Sequence, residues 1–306
     1  MSPPAPAPWR AEARLRFERS PETDGPTRHQ GGTTAPLKIQ RAFASADGRC
    51  ELPLLHTAGG LVGGDQLHIE AELGPGSRAL LTSVAAQKVY GSVGRSRLAP
   101  EGCWVRQGLA FELAENADLE WLPQELVLFE GALFEQICRV ELAAGASWLG
   151  AEVVRLGRSA DGENLGAGRW RSQLEIRRQG RWELVDRLEL GGETLSSPHG
   201  LGGQPVFASL VWAAPEPVGE ALLEACRGER RGLEGEMACG RLERGLVARY
   251  RGSSTQAARY WFTRIWTLIR AERGLTVPAL PRVWPFQEQP LALQHQPGAT
   301  ALATGP

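Results

Sequence analysis

The sequence predicts a mainly β protein: a β-helix-like body of stacked strands with a few helices, including one near the C-terminus. Three observations carry this. Apolar residues recur with period two along most of the chain. Glycine (37) and proline (21) are frequent among 306 residues, which calls for many turns. One strand–turn–strand form occurs three times.

The first eight residues, MSPPAPAP, read as a disordered Pro-rich arm. In Gln66–Leu73, the side chains of Leu67, Ile69, Ala71 and Leu73 face one way, and Gln66, His68, Glu70 and Glu72 the other. The repeated form is Glu72-Leu73-Gly74-Pro75-Gly76-Ser77, then Glu112-Leu113-Ala114-Glu115-Asn116-Ala117, then Glu141-Leu142-Ala143-Ala144-Gly145-Ala146. Each is a strand ending in Glu-Leu, a turn with Gly or Asn where positive φ is needed, and a small residue opening the next strand. Spacings of 40 and 29 residues are irregular for a strict solenoid but suit stacked units that bury each other's faces. A meander of hairpins fits the same pattern.

Leu174 and Ile176 alternate with Gln173 and Glu175, and Leu184, Leu188 and Leu190 continue the rhythm after a Gln179-Gly180 turn. Leu246, Ala248 and Tyr250 form a further run. A short helix is expected near Gly219–Arg227. A longer one, at about 254–272, follows the N-cap candidates Ser253-Ser254-Thr255, with Phe262, Ile265, Trp266 and Ile269 at i, i+3, i+4, i+7. Trp261 and Leu268 widen that stripe, Gly274 supplies the stop, and Arg259, Arg264 and Arg270 suit a solvated or docking rim. Residues 9–284 read as one domain and 285–306 as a loose tail.

Lys and Arg number 34 against 35 Asp and Glu, for a formal net charge of −1, which argues against nucleic acid as a partner. The N-terminus lacks an apolar signal region and no run approaches a membrane span, so the chain reads as cytoplasmic, without a membrane partner. Five widely spaced cysteines with no C-x-x-C pair read as reduced thiols.

Familiar catalytic motifs are missing. The glycine cluster Gly59-Gly60-Leu61-Val62-Gly63-Gly64-Asp65 does not match G-x-G-x-x-G and precedes a strand, where a dinucleotide site needs a helix. Its physical reading is a tight loop whose amides Asp65 caps. No Gly-Lys pair exists for a phosphate loop, and Gly91-Ser92-Val93-Gly94 lacks the first glycine of a nucleophile elbow. The histidines show no metal-ligand spacing; loop residues His56 and His199 are weak candidates for meeting a transient ion, and no preformed metal site is expected. Glu125 and Glu130 leave open a β-solenoid acting on carbohydrate.

In order, the glycine cluster, Leu80-Leu81-Thr82, Gln87-Lys88-Val89-Tyr90, and Leu119-Glu120-Trp121-Leu122-Pro123-Gln124-Glu125 with Phe129 and Gly131 resemble the urease accessory protein D (UreD) family. Leu156-Gly157-Arg158, Leu201-Gly202-Gly203 and Pro281-Arg282-Val283-Trp284 extend the likeness over about residues 10–284. The resemblance implies a non-enzymatic scaffold and chaperone in nickel insertion. Its implied partners are urease apoprotein and the accessory proteins F and G (UreF and UreG). It also implies no tightly bound cofactor, nickel in transit, and GTP on the partner GTPase only. Asp65, Lys88, Gln124 and Glu125 are the polar members of these motifs, hence candidates for lining the nickel path or for locking loops, Lys88 pairing with Asp65 or Glu125 in the second case. Gly59, Gly60, Gly63, Gly64, Tyr90, Trp121, Pro123 and Gly131 are expected to be structural, Tyr90 and Trp121 in the core.

Overall fold

The computed structural model describes residues 8–20, 25–158 and 161–284. The expected arm over 1–8 (apart from Pro8) and the expected tail over 285–306 lie outside them. In chain order the strands are β1 (Arg10–Arg19), β2 (Thr27–Thr33), β3 (Leu37–Ile39), β4 (Phe43–Ala44), β5 (Cys50–His56) and β6 (Gln66–Leu73). Next come β7 (Arg78–Ser83), β8 (Gln87–Val89), β9 (Val105–Leu113), β10 (Asp118–Trp121), β11 (Leu126–Leu128) and β12 (Leu133–Leu142). Then follow β13 (Ser147–Leu156), β14 (Arg169–Arg178), β15 (Arg181–Leu190), β16 (Val206–Ala213), α1 (Glu220–Gly228), β17 (Glu236–Leu242), β18 (Gly245–Gly252) and α2 (Thr255–Glu272).

The repeated units stack. β6, β9 and β12 are parallel neighbours in a 7-stranded sheet ordered β15-β14-β12-β9-β6-β1-β2. The strands that follow them, β7, β10 and β13, are parallel neighbours in an 11-stranded sheet. Each turn therefore carries the chain from one sheet to the other, as in a flattened coil. Gly76, Asn116 and Gly145 hold positive φ at equivalent corners, and Ser77, Ala117 and Ala146 behind them are fully buried. Gly145 is required by space as well, because a Cβ there would lie 2.1 Å from Asn116 Oδ1. Antiparallel hairpins flank the coil instead of forming it: β14–β15 around Gln179-Gly180, and β16, β18 and β17 at one end of the other sheet.

Two cores follow. Leu15, Phe17, Phe111, Trp121 and Trp148 fill the space between the sheets, while Leu149, Val153, Leu210 and Tyr250 face outward toward α1 and α2. β13 serves both cores on alternate residues, which is why it reads as almost continuously apolar. Ser254 caps α2, its Oγ accepting from Ala257 N at 3.1 Å. Trp261, Phe262, Ile265, Trp266 and Ile269 are buried as the stripe requires. Truncating Trp261 to Ala would cost about 3–5 kcal/mol.

The helix arginines are not a rim. Arg259, Arg264 and Arg270 are buried, because each reaches an acceptor that the local pattern does not reveal. Arg259 pairs with Glu125 at 2.6 Å, Arg264 donates to the carbonyls of Glu229 and Arg231, and Arg270 grips Glu120 of β10 at 2.6 Å. Arg49, Asp118, Asp47 and Arg273 extend this last pair into a buried ion cluster that fixes α2 to the sheet. Tyr90 is likewise not core: it is 41% exposed, its ring packed on Phe129 where no second layer covers it. Among the described residues no helix is long and apolar enough to cross a membrane.

Candidate functional site

The glycine loop is closed by its own acid. Asp65 is fully buried, and its two carboxylate oxygens accept from Val62 N and Trp9 N, each at 2.8 Å. One carboxylate thus caps the loop and fastens the start of β1. Leu61 donates to the Lys88 carbonyl at 2.8 Å and accepts from Tyr90 N at 2.9 Å, so the loop adds itself to β8. β8 pairs with β11, and β11 with β13. Gly60 permits this approach, since a Cβ there would lie 2.5 Å from the Tyr90 ring. At Gly63 a Cβ would lie 2.9 Å from the Cys103 carbonyl, and Gly64 holds positive φ against Pro8.

Behind this wall lies a cavity of about 410 Å³. Gly59 and Lys88, both exposed, stand at its rim; His56 and Gln124 line its side; Gln107, Gln136 and Glu152 line its depth. A second cavity of about 50 Å³ shares Gln136 and Glu152 with the first and extends to the half-buried pair Asp186–Arg249.

Through both runs a file of polar side chains. Gln87 Nε2 donates to Gln107 Oε1 at 2.7 Å, Gln107 Nε2 to Gln136 Oε1 at 3.3 Å, and Gln136 Nε2 to Glu152 Oε1 at 2.7 Å. Ser172 Oγ approaches the other Glu152 oxygen at 3.4 Å. Every amide donates toward the carboxylate. Glu152 forms no ion pair among the described residues, and burial pushes its pKa up to about 7 despite these donors. Burial also lowers the His56 pKa and so favours the neutral ring; its Nε2 and the Gln124 Oε1 are buried without a hydrogen-bond partner among the described residues.

Among the described residues no group of three or more His, Cys, Asp or Glu is arranged to hold a metal. Neutral amide oxygens leading to one carboxylate instead offer a divalent cation oxygen contacts alone, a weak set for a transition metal, which suits passage better than retention.

A family model for the UreD urease accessory protein matches residues 10–285. The chain is 61% identical over 295 residues to a urease accessory protein UreD of Parasynechococcus marenigrum (strain WH8102), covering 94% of each chain. Against the proteins of that name from Synechococcus sp. (strain CC9902) and Prochlorococcus marinus (strain MIT 9303) the identities are 58% and 59%. Those matches cover 94% of both chains in the first case, and 92% of this chain and 98% of the relative in the second. The chain belongs to the UreD family.

The structure brings the glycine loop, β8 and the Trp121–Gln124 stretch to one cavity and separates the roles of their residues. Gln124, Lys88 and Pro123 reach the cavity; Asp65 and Glu125 are engaged elsewhere, by backbone amides and by Arg259. Lys88 pairs with neither acid, which corrects the expected loop-locking ion pair: Asp65 is held by two backbone amides and Glu125 by Arg259. Gln124 donates to the Val283 carbonyl at 3.0 Å, tying the cavity wall to the end of the described chain. Trp121 is buried, and the Gly131 carbonyl accepts from Ser92 N and Val93 N. His199 is exposed on the loop before β16 and does not line the cavity. With Glu125 held by Arg259, the Glu125–Glu130 pairing gains no support from the structure.

Sequence reasoning missed Gln107, Gln136 and Glu152. A signal was present: Gln107 stands in phase with Val105, Leu109 and Phe111, and Gln136 with Phe134, Cys138 and Val140, so each is a polar intrusion on an inward face.

Proposed function

We propose that this UreD-family chain is a maturation scaffold that joins the accessory proteins F and G to urease apoprotein and passes nickel to it through the file between its sheets. GTP is bound and hydrolysed by the partner GTPase, and nickel is cargo. The observation that carries this reading is the Gln87–Gln107–Gln136–Glu152 file, which runs beside an otherwise apolar core through two adjoining cavities. Placing three amides and a carboxylate against such a core carries a desolvation cost that their hydrogen bonds offset only in part, and a passage for a cation accounts for that expense. Lys88 and Gln124 then belong to the route at its wider end, while Asp65 and Glu125 hold the loops that frame it.

The test is activation of urease apoprotein with nickel, GTP and the two accessory partners, with and without this chain. Activation is expected to depend on the chain, and Gln136→Leu, which interrupts the file without adding charge, is expected to lower it roughly tenfold or more at unchanged complex assembly. Full activation by a well-folded Gln136→Leu chain would remove the internal route and leave only the docking role.

A further inference from the structure

Far from the file, two thiols meet. α1 turns Leu222, Leu223 and Cys226 inward, and Cys239 is the one buried residue of β17. The Cys226 and Cys239 thiols are close enough to influence each other's ionisation, and both belong to the helix-side core. Neighbouring contacts fix the pairing. Arg227 Nε donates to the Cys239 carbonyl at 3.0 Å, and Trp261 Nε1 to the Cys226 carbonyl at 3.0 Å. The two differ in access: Cys226 is fully buried, whereas Cys239 is 7% exposed on the outermost strand of its sheet. The other cysteines lack this arrangement, Cys50 and Cys138 lying in the inter-sheet core and Cys103 on the surface.

We propose that Cys226 and Cys239 form a redox-active dithiol that peroxide closes to an internal disulfide, stapling α1 to β17. This inference does not depend on the nickel reading. The neighbouring Cys226 thiol and the charge of Arg227 favour the Cys239 thiolate, while Cys226 keeps its proton. The Cys239 thiolate attacks one oxygen of hydrogen peroxide; an S–O bond forms, the O–O bond breaks, and hydroxide leaves as water after taking up a proton. The Cys226 sulfur then attacks the Cys239 sulfenic acid; the S–S bond forms, the S–O bond breaks, and a second water carries away the Cys226 proton. Two thiols and one peroxide give one disulfide and two waters. An external dithiol reverses the change by exchange.

The experiment treats the whole chain with hydrogen peroxide, counts thiols under denaturant and maps the linked peptides. Titratable thiols should fall from five to three, with Cys226 joined to Cys239, and dithiothreitol should restore all five. In Cys226→Ser the link should vanish and dimedone should trap a sulfenic acid on Cys239. Five thiols remaining, a loss confined to dimers joined through Cys103, or oxidation of Cys239 without the link would each overturn the proposal. The peptide map of the natural chain decides without relying on any variant to fold.

Discussion

Glu120, buried, and Glu152, half-buried, are glutamates on neighbouring strands of one sheet, facing opposite sides, and they live by different rules. Glu120 points toward α2 and receives Arg270 twice, at 2.8 and 2.6 Å, and the Trp266 indole at 2.8 Å. Around it Arg49, Arg273, Asp47 and Asp118 complete a charge-balanced cluster. Glu152 points between the sheets and receives one amide and one hydroxyl, with no cation at pairing distance among the described residues. The first arrangement satisfies charge with charge and holds two layers together. The second leaves a carboxyl poised between its two protonation states beside open space. Burial alone therefore does not define a polar group's role; the partner set does.

The largest effect should come from breaking the staple. Asp118 accepts from Arg49 at 2.5 Å and pairs with Arg273 at 2.9 Å, so Asp118→Asn leaves two guanidinium groups short of a counter-charge in the interior. The expected loss is about 3–5 kcal/mol, read from the urea midpoint. Burial alone would raise the Asp118 pKa, but Arg49 and Arg273 outweigh it and hold the carboxyl well below the ordinary range. A depressed acid stabilises the fold above its unfolded pKa and loses that contribution as pH falls toward the folded value. The natural chain should therefore lose stability more steeply below about pH 4 than Asp118→Asn does. Equal acid sensitivity would take Asp118 out of the staple.

The file should respond with the opposite sign. Burial raises the Glu152 pKa from its ordinary 4.5 to about 7, so between these values the folded chain holds a proton that the unfolded chain lacks. Stability contributed by this site falls as pH rises through that window, and the full cost is present above it. Glu152→Gln removes the cost: the variant should be more stable than the natural chain near pH 8, by up to about 3 kcal/mol, with the gap closing near pH 4. Urease activation by the same variant should fall. A Glu152→Gln chain that is less stable at every pH would make Glu152 a second staple, and the comparison would collapse.

These two regions also differ in how far the sequence reveals them. The turns of the coil are legible because positive φ selects Gly and Asn locally, at Gly76, Asn116 and Gly145. Whether the units stack or meander is not local, since β6 finds its partner β9 across two intervening strands of the other sheet, β7 and β8. The glycine loop and its Asp65 cap are legible for the same reason as the turns. The file is spread one residue per strand over β8, β9, β12 and β13; parallel register aligns Gln107 with Gln136, and only the packing of one sheet on the other brings Gln87 and Glu152 to them. Arg259 and Arg270 were misread because charge at helical spacing signals solvent, while the acids that bury them sit on distant segments near Glu120 and Glu125. Tyr90 misled in the opposite direction, as an aromatic in a family-like motif that packs on the surface beside Phe129.

Asp65 falls between the extremes. Asp65→Ala leaves the Val62 and Trp9 amides without their acceptor and should cost about 1–3 kcal/mol, with activation lost in proportion to the folded fraction. Activation lost beyond that proportion would move Asp65 from loop lock to route.

The smallest effect on stability belongs to Lys88, which is exposed at the cavity rim and forms no ion pair among the described residues. Lys88→Ala should shift the unfolding free energy by no more than about 0.5 kcal/mol. Its charge faces the wider opening, where it opposes the approach of a divalent cation over a screening length of about 10 Å at 0.1 M salt. The variant should therefore transfer nickel at least as fast as the natural chain at low ionic strength, and the difference should vanish as salt is raised. A marked fall in melting temperature would place Lys88 with the staples. Unchanged folding with slower transfer at every salt concentration would instead mean that the ammonium group is needed at the opening for something other than its long-range field, most simply as a contact for the partner that delivers the ion.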